Sequence, residues 1–284
     1  MKDSLVTVGG GRQLSYTDIG DPEGPCIIFF HGAPTSHLHL VGLDEPLVAR
    51  GLRVVSPDRP GYGKSSKQPN RSITDWPADV AALADALAIR RFIVAGHSSG
   101  GPYAVVCAAL LPDRVSAGLV IAGATDMGWP GAWEGYFEME KRLMRMSEEK
   151  EVVAWCFEHF GADGSGFLTT SDVELSEPDN ALFEDEDASA ALTSSIAEAF
   201  RQGVVGYAQD IFIQGRPWAF DPGSIRITVD VVHGESDTVV PIAHSRHTAK
   251  LIPGSRLRTL AGHGHLSILS ELPTLASAFV SLPG

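Results

Sequence analysis

Cysteine is scarce: Cys26, Cys107 and Cys156 are the only three in 284 residues. Far apart and odd in number, they exclude a disulfide framework and fit a reducing compartment, with Cys26 and Cys107 as buried thiols inside apolar runs. No apolar stretch approaches the ~18 residues of a membrane span, and the start, Met1-Lys2-Asp3-Ser4-Leu5, has no apolar signal core. A cytoplasmic protein without a membrane span is expected. Basic residues are outnumbered 22 to 35, for a net charge of −13. That excludes nucleic-acid binding through a basic face. Lys and Arg vanish between Glu151 and Phe200, where twelve Asp and Glu stand; an acidic stretch of this kind disfavours anionic substrates. Internal repeats are absent too. The length suits one large α/β domain, or a core with an inserted subdomain, and buries a sizeable core without metal or disulfides.

Strand and helix patterns alternate. Leu5-Val6-Thr7-Val8 and Gln13-Leu14-Ser15-Tyr16-Thr17 flank three glycines, a hairpin signal. The fully apolar run at 26–30 reads as a buried parallel strand, and the largely apolar runs at 52–56, 91–95, 115–122 and 227–232 read as further strands. Helices are expected at 38–50, 74–88, 102–111 and 241–251, and from the last His to about 281. The last strand is expected at Arg256–Leu260. Between 127 and 216 the alternation stops; the stretch is mostly helical, with Glu138–Ser147 and Ala188–Gln202 the best helices and an acidic surface loop at 161–187. The fold class that follows is α/β: a mostly parallel sheet with helices on both faces and a helical insertion. The core is 1–125 with 217–284, and the insertion is 126–216.

At Gly96-His97-Ser98-Ser99-Gly100 the pattern Gly-x-Ser-x-Gly sits between a strand and a helix. This places Ser98 on a sharp turn with its hydroxyl above the sheet and the helix N–H groups aimed at the reacting centre. Read alone, Ser98 could equally be a helix N-cap. Asp237 and the pair His263/His265 follow later strands, so all fall at the carboxyl edge of the sheet, where ligands bind in such folds.

With His31-Gly32-Ala33-Pro34, Asp58-Arg59-Pro60-Gly61-Tyr62-Gly63-Lys64-Ser65, Gly96-His97-Ser98-Ser99-Gly100, Gly234-Glu235-Ser236-Asp237 and Gly264-His265 in this order, the chain resembles the α/β-hydrolase superfamily over nearly its full length. The resemblance implies a Ser-Asp-His order of catalytic residues. Ser98 is then the nucleophile, His265 the base and Asp237 the acid that orients it. His263 is the competing base; the resemblance favours His265 because it directly precedes an apolar residue that starts the last helix. Asp126 is the alternative acid. Backbone N–H groups of Ala33 and Ser99 form the oxyanion hole. The insertion falls where that family carries a lid, whose aromatic residues, Trp129, Trp133, Tyr136, Phe137, Trp155, Phe157 and Phe160, both line an acyl pocket and form a small core. Asp58 and Arg59 shape a loop near the site.

The expected activity is that of a cofactor-free serine hydrolase acting through an acyl-enzyme on a small-molecule ester of a small to medium apolar acid. A C–C bond hydrolase, lactonase or amidase would use the same residues, and a peracid-forming enzyme or a non-catalytic binding protein would use the same frame. No cofactor or metal is expected: His37-x-His39 and His263-x-His265 lack supporting carboxylates or thiols. Asp163-Gly164-Ser165-Gly166 lacks the further ligands of a calcium loop. The oligomeric state stays open, a homodimer included.

Overall fold

Alternating and unbroken apolar runs assemble into one eight-stranded sheet. The computed structural model describes residues 4–40 and 42–280. Strand β1 (Ser4–Thr7) pairs antiparallel with β2 (Gln13–Gly20) across the glycine turn. Strand β3 (Cys26–Phe30) is buried at every position, as a strand covered on both faces must be. It is followed by β4 (Arg53–Pro57), β5 (Phe92–His97), β6 (Val115–Ile121), β7 (Thr228–Gly234) and β8 (Arg256–Leu260). The order across the sheet is β1-β2-β4-β3-β5-β6-β7-β8. From β4 onward every pairing is parallel; only the β1–β2 and β2–β4 pairs are antiparallel.

Helices cover both faces. Within the core run α1 (Asp44–Val48), α2 (Trp76–Ala86) and α3 (Gly101–Leu110). Between β6 and β7 come α4 (Glu138–Met144), α5 (Glu149–Phe160), α6 (Phe167–Thr170), α7 (Glu177–Asn180), α8 (Glu186–Ala199) and α9 (Val205–Gln214). The chain closes with α10 (Ile242–Leu251) and α11 (Leu272–Val280). Val80, Leu83, Tyr103 and Val106 pack on one sheet face against Phe30, Val55 and Val94. Leu47, Leu272 and Phe279 pack on the other, against Ile27, Phe29 and Leu119. A third cluster, built on Leu143, Phe160, Phe200, Tyr207 and Ile211, is the core of the helical insertion. All three cysteines are buried free thiols. Among the described residues no helix is long and apolar enough to cross a membrane.

Two expectations change. The helix expected at 38–50 shrinks to Asp44–Val48. The residues just ahead of the expected helix are held by long-range bonds, so the chain enters the segment through turns rather than a helix. Thr17 Oγ1 donates to the His37 carbonyl at 2.7 Å, His37 N–H to Asp58 at 2.7 Å, and Ser36 N–H to Ser195 Oγ at 3.0 Å. The surface loop expected at 161–187 contains α6 and α7, and it dips inward at Ser176 and Asp179, both buried.

The insertion is fastened to the core by charge. Arg59, fully buried, donates through Nε to Asp210 of α9 at 2.5 Å; Arg71 pairs with the other oxygen, and Tyr103 Oη donates to it at 2.9 Å. Burial alone would raise the Asp210 carboxyl, but the two guanidinium groups hold it well below the usual range. Buried pairs of this kind are sustained only when every partner is present.

Candidate active site

Ser98 sits where β5 turns into α3, with a left-handed φ of +55°. The glycines on either side are demanded by space. A Cβ on Gly96 would lie 2.2 Å from the Gly100 carbonyl oxygen, and one on Gly100 would lie 2.1 Å from that of Phe30. The strained turn is thus fixed by close backbone approach, and it lifts the hydroxyl clear of the sheet at the positive end of α3.

Asp237 follows β7. Its Oδ1 accepts the N–H groups of Val239 and Val240 at 2.8 and 2.9 Å, which pins the carboxylate. Its Oδ2 lies 2.9 Å from His265 Nδ1 and 3.3 Å from His233 Nε2. Burial raises the Asp237 carboxyl, but the neighbouring His265 charge and hydrogen bond bring it below its ordinary value. For His265, burial pulls the imidazole down, yet Asp237 outweighs it with help from Asp179 and Glu140, and the net shift is upward. Since a carboxylate only accepts, Nδ1–H donates to Asp237 and Nε2 is left as a base. Ser98 and His265 line the same cavity. No hydrogen bond joins them among the described contacts; such bonds often tighten only when substrate arrives.

The competitors lie elsewhere. Asp126 Oδ1 accepts from the N–H groups of Gly128 and Trp218 at 2.8 and 3.1 Å, tying together the two ends of the insertion. His263 Nε2 lies 3.9 Å from Glu271 Oε1. Neither meets the Asp237–His265 pair.

Ala33 and Ser99 both line the cavity beside Ser98, and the Ala33 N–H has no partner among the described backbone hydrogen bonds. Arg59 holds the loop that carries Ala33: its guanidinium donates to the carbonyls of His31 at 2.6 Å and Gly32 at 3.4 Å. Asp58 anchors the far end of that loop through His37 Nδ1 at 2.6 Å. These two residues therefore shape the site from outside it.

The cavity measures about 270 Å³, and Tyr136, Phe137, Phe167, Leu192 and Ile196 of the insertion form part of its lining. One residue in its wall was not visible in the motifs. Glu140 is buried, with Tyr136 and Tyr207 hydroxyls donating to its two oxygens at 3.0 and 3.2 Å. Burial pushes its carboxyl up to about 7, against the lowering effect of the tyrosines. The signal for it was a charge on the apolar stripe formed by Tyr136, Phe137, Leu143 and Met144.

Glu140 has a consequence for stability. A carboxyl whose folded pKa is raised favours the folded state less as pH climbs from its unfolded value, 4.5, through about 7. Glu140→Gln removes that loss. Urea unfolding is expected to find the variant more stable than wild type at pH 8, by on the order of 3 kcal/mol, with the gap closing toward pH 4.5.

His37, Asp58 and Glu198 place one candidate ligand atom each within 4.8 Å of one another. Their lone pairs are already engaged: Asp58 accepts from Ser15 at 2.6 Å and from His37, and Glu198 accepts from Arg201 Nε at 2.8 and 2.9 Å. The group is a satisfied hydrogen-bond network at the junction of core and insertion.

A family model described as the alpha/beta hydrolase fold matches residues 25–272. The chain is similar to a bifunctional esterase/perhydrolase of Acinetobacter calcoaceticus, 26% identical over 282 aligned residues that cover 95% of each chain. It is also similar to a non-heme haloperoxidase of Rhodococcus erythropolis, 27% identical with 92% of each chain covered. Among solved structures, a thermophilic esterase from Thermogutta terrifontis superposes with a TM-score of 0.73 at 20% identity, over 99% of this chain and 97% of that one. At that identity the likeness concerns the fold alone.

Proposed function

The chain belongs to the alpha/beta hydrolase family, and from that premise we propose that it is a cofactor-free serine hydrolase that forms an acyl-enzyme on Ser98. The observation that carries this reading is the strained Ser98 turn opening into the cavity that the Asp237–His265 pair also reaches. Ser98 Oγ attacks the ester carbonyl while His265 Nε2 takes its proton. Asp237 holds the imidazole and balances its positive charge. The N–H groups of Ala33 and Ser99 receive the oxyanion, where each such donor contributes about 3 kcal/mol in the transition state. Collapse expels the alcohol with the proton from His265. Water, activated by the same imidazole, then releases the acid.

The walls of the cavity support the substrate class. A cavity of about 270 Å³ lined by aromatic and aliphatic side chains suits an ester of a small to medium apolar acid. The helical insertion acts as its lid. Glu140 in the wall and the acidic stretch above it disfavour an anionic acyl chain. The bifunctional relative suggests a second outcome for the same intermediate: hydrogen peroxide in place of water would take the acyl group as a peracid and return Ser98 to its hydroxyl form.

The testing experiment is fluorophosphonate labelling followed by intact mass. One added phosphonyl group per chain, mapped to Ser98 and added more slowly while excess p-nitrophenyl butyrate is present, is the expected result. A fully folded chain that takes no label would remove the acyl-enzyme reading in favour of a binding protein. Adding peroxide to the ester assay separates water from peroxide as acyl acceptor.

A further inference from the structure

One of the places where the acidic stretch of the insertion meets the core is the loop carrying His265. Asp179, at the middle of α7, is fully buried. Its Oδ2 accepts the His265 N–H at 2.7 Å, and its Oδ1 accepts the N–H groups of Leu266 and Ser267 at 2.9 and 2.8 Å. The hydroxyls of Ser267 and Ser176 donate to it as well, at 2.9 and 3.0 Å. The first turn after the histidine is therefore capped by a residue 86 positions earlier in the chain, where such a turn is usually capped by a neighbour.

Two further observations locate this contact. Gly264 has no side chain because the insertion occupies that space: a Cβ there would lie 2.1 Å from Ser176 Oγ and 2.4 Å from Asp179 Oδ2. A few residues before Asp179, the Glu174 carbonyl accepts the Thr238 hydroxyl at 2.6 Å, next to Asp237. The segment 174–180 is thus strapped across both loops that carry the acid and the base.

We propose that Asp179 is a positioning residue for His265: it fixes the backbone of the histidine loop from the lid, so that an aligned base requires the 174–180 segment to be seated. This rests on the serine-hydrolase reading above. Opening of the segment would release three backbone N–H groups and free the loop that sets the imidazole's reach toward Ser98. The charged and titratable groups around His265 are Asp237 on its own side of the sheet, Asp179 and Glu140 from the insertion, and His97, His39 and His233 from the core. Removing the Asp179 charge takes away one of the groups that favour the protonated imidazole.

The test compares wild type, Asp179→Ala and Asp179→Asn in fluorophosphonate labelling rate, p-nitrophenyl butyrate kinetics across pH, and hydrogen exchange of the peptide covering 264–268. For Asp179→Ala the labelling rate and kcat are expected to fall about 10²-fold, as for a reacting group displaced by about 1 Å, with KM little changed. The acid limb of kcat/KM moves to lower pH, and the 264–268 amides exchange faster. Asp179→Asn, of the same shape and with one acceptor oxygen left, falls in between and carries the test if the alanine variant does not fold. Folded variants that label at the wild-type rate with an unmoved acid limb would overturn the proposal while leaving the Ser98 reading intact. So would slow labelling with unchanged exchange at 264–268. Wild type that takes no label would overturn both.

Discussion

Replacing Ser98 by alanine is expected to lower ester turnover by ~10⁶-fold, close to loss of all covalent catalysis. The change is confined to one oxygen. Alanine keeps the Cβ, so the turn at φ +55° and its contacts with Gly96 and Gly100 persist. The protein should therefore unfold at a nearly unchanged temperature, because the turn is kept and the Ser98 hydroxyl has no partner among the described hydrogen bonds. What activity is left comes from substrate binding and the Ala33 and Ser99 donors. Kinetics with p-nitrophenyl butyrate and intact mass after phosphonate treatment check both halves. Full activity in the alanine variant would remove Ser98 as nucleophile.

Asp237→Asn is expected to lower kcat by about 10⁴-fold for a reason of hydrogen-bond direction. One oxygen of Asp237 is pinned by two backbone donors, Val239 and Val240. The asparagine carbonyl must stay there, which turns its NH₂ toward His265 Nδ1. That nitrogen then has to accept, the ring proton moves to Nε2, and the imidazole can no longer take a proton from Ser98. The raised state of the His265 imidazole depends on the Asp237 charge. Its loss lets the ring stay neutral to lower pH, so the acid limb of kcat/KM moves down as the plateau falls. The same substitution at Asp126, which caps Gly128 and Trp218, is expected to leave the pH profile unmoved. If Asp126→Asn instead produced the large loss, the acid would have to be reassigned.

The core strands were legible because burial on two faces demands apolar runs, and Cys26–Phe30 and the Phe92–Gly96 part of β5 have them. The mostly parallel sheet, with helices on both faces, agrees with the expected fold class. The 38–50 helix falls short because Ser36 and His37, just ahead of it, are tied to Ser195 and Asp58, up to 159 positions away, and fix how the chain enters the segment. No local pattern encodes such a bond.

The sequence by itself determined the tight Ser98 turn, through glycines whose missing side chains are required at 2.2 Å and 2.1 Å contacts, and the sheet edge where later motifs gather. It left Asp126 beside Asp237 and His263 beside His265, since residue type and chain order are the same for each pair. Tertiary structure alone decided which of them touch, by setting Asp237 2.9 Å from His265. It also decided that Glu140 faces a cavity and that Asp179 reaches the histidine loop. A carboxylate in an acidic stretch looks solvated in one dimension. Its burial depends on donors supplied by a distant loop, and only folding brings those donors to it.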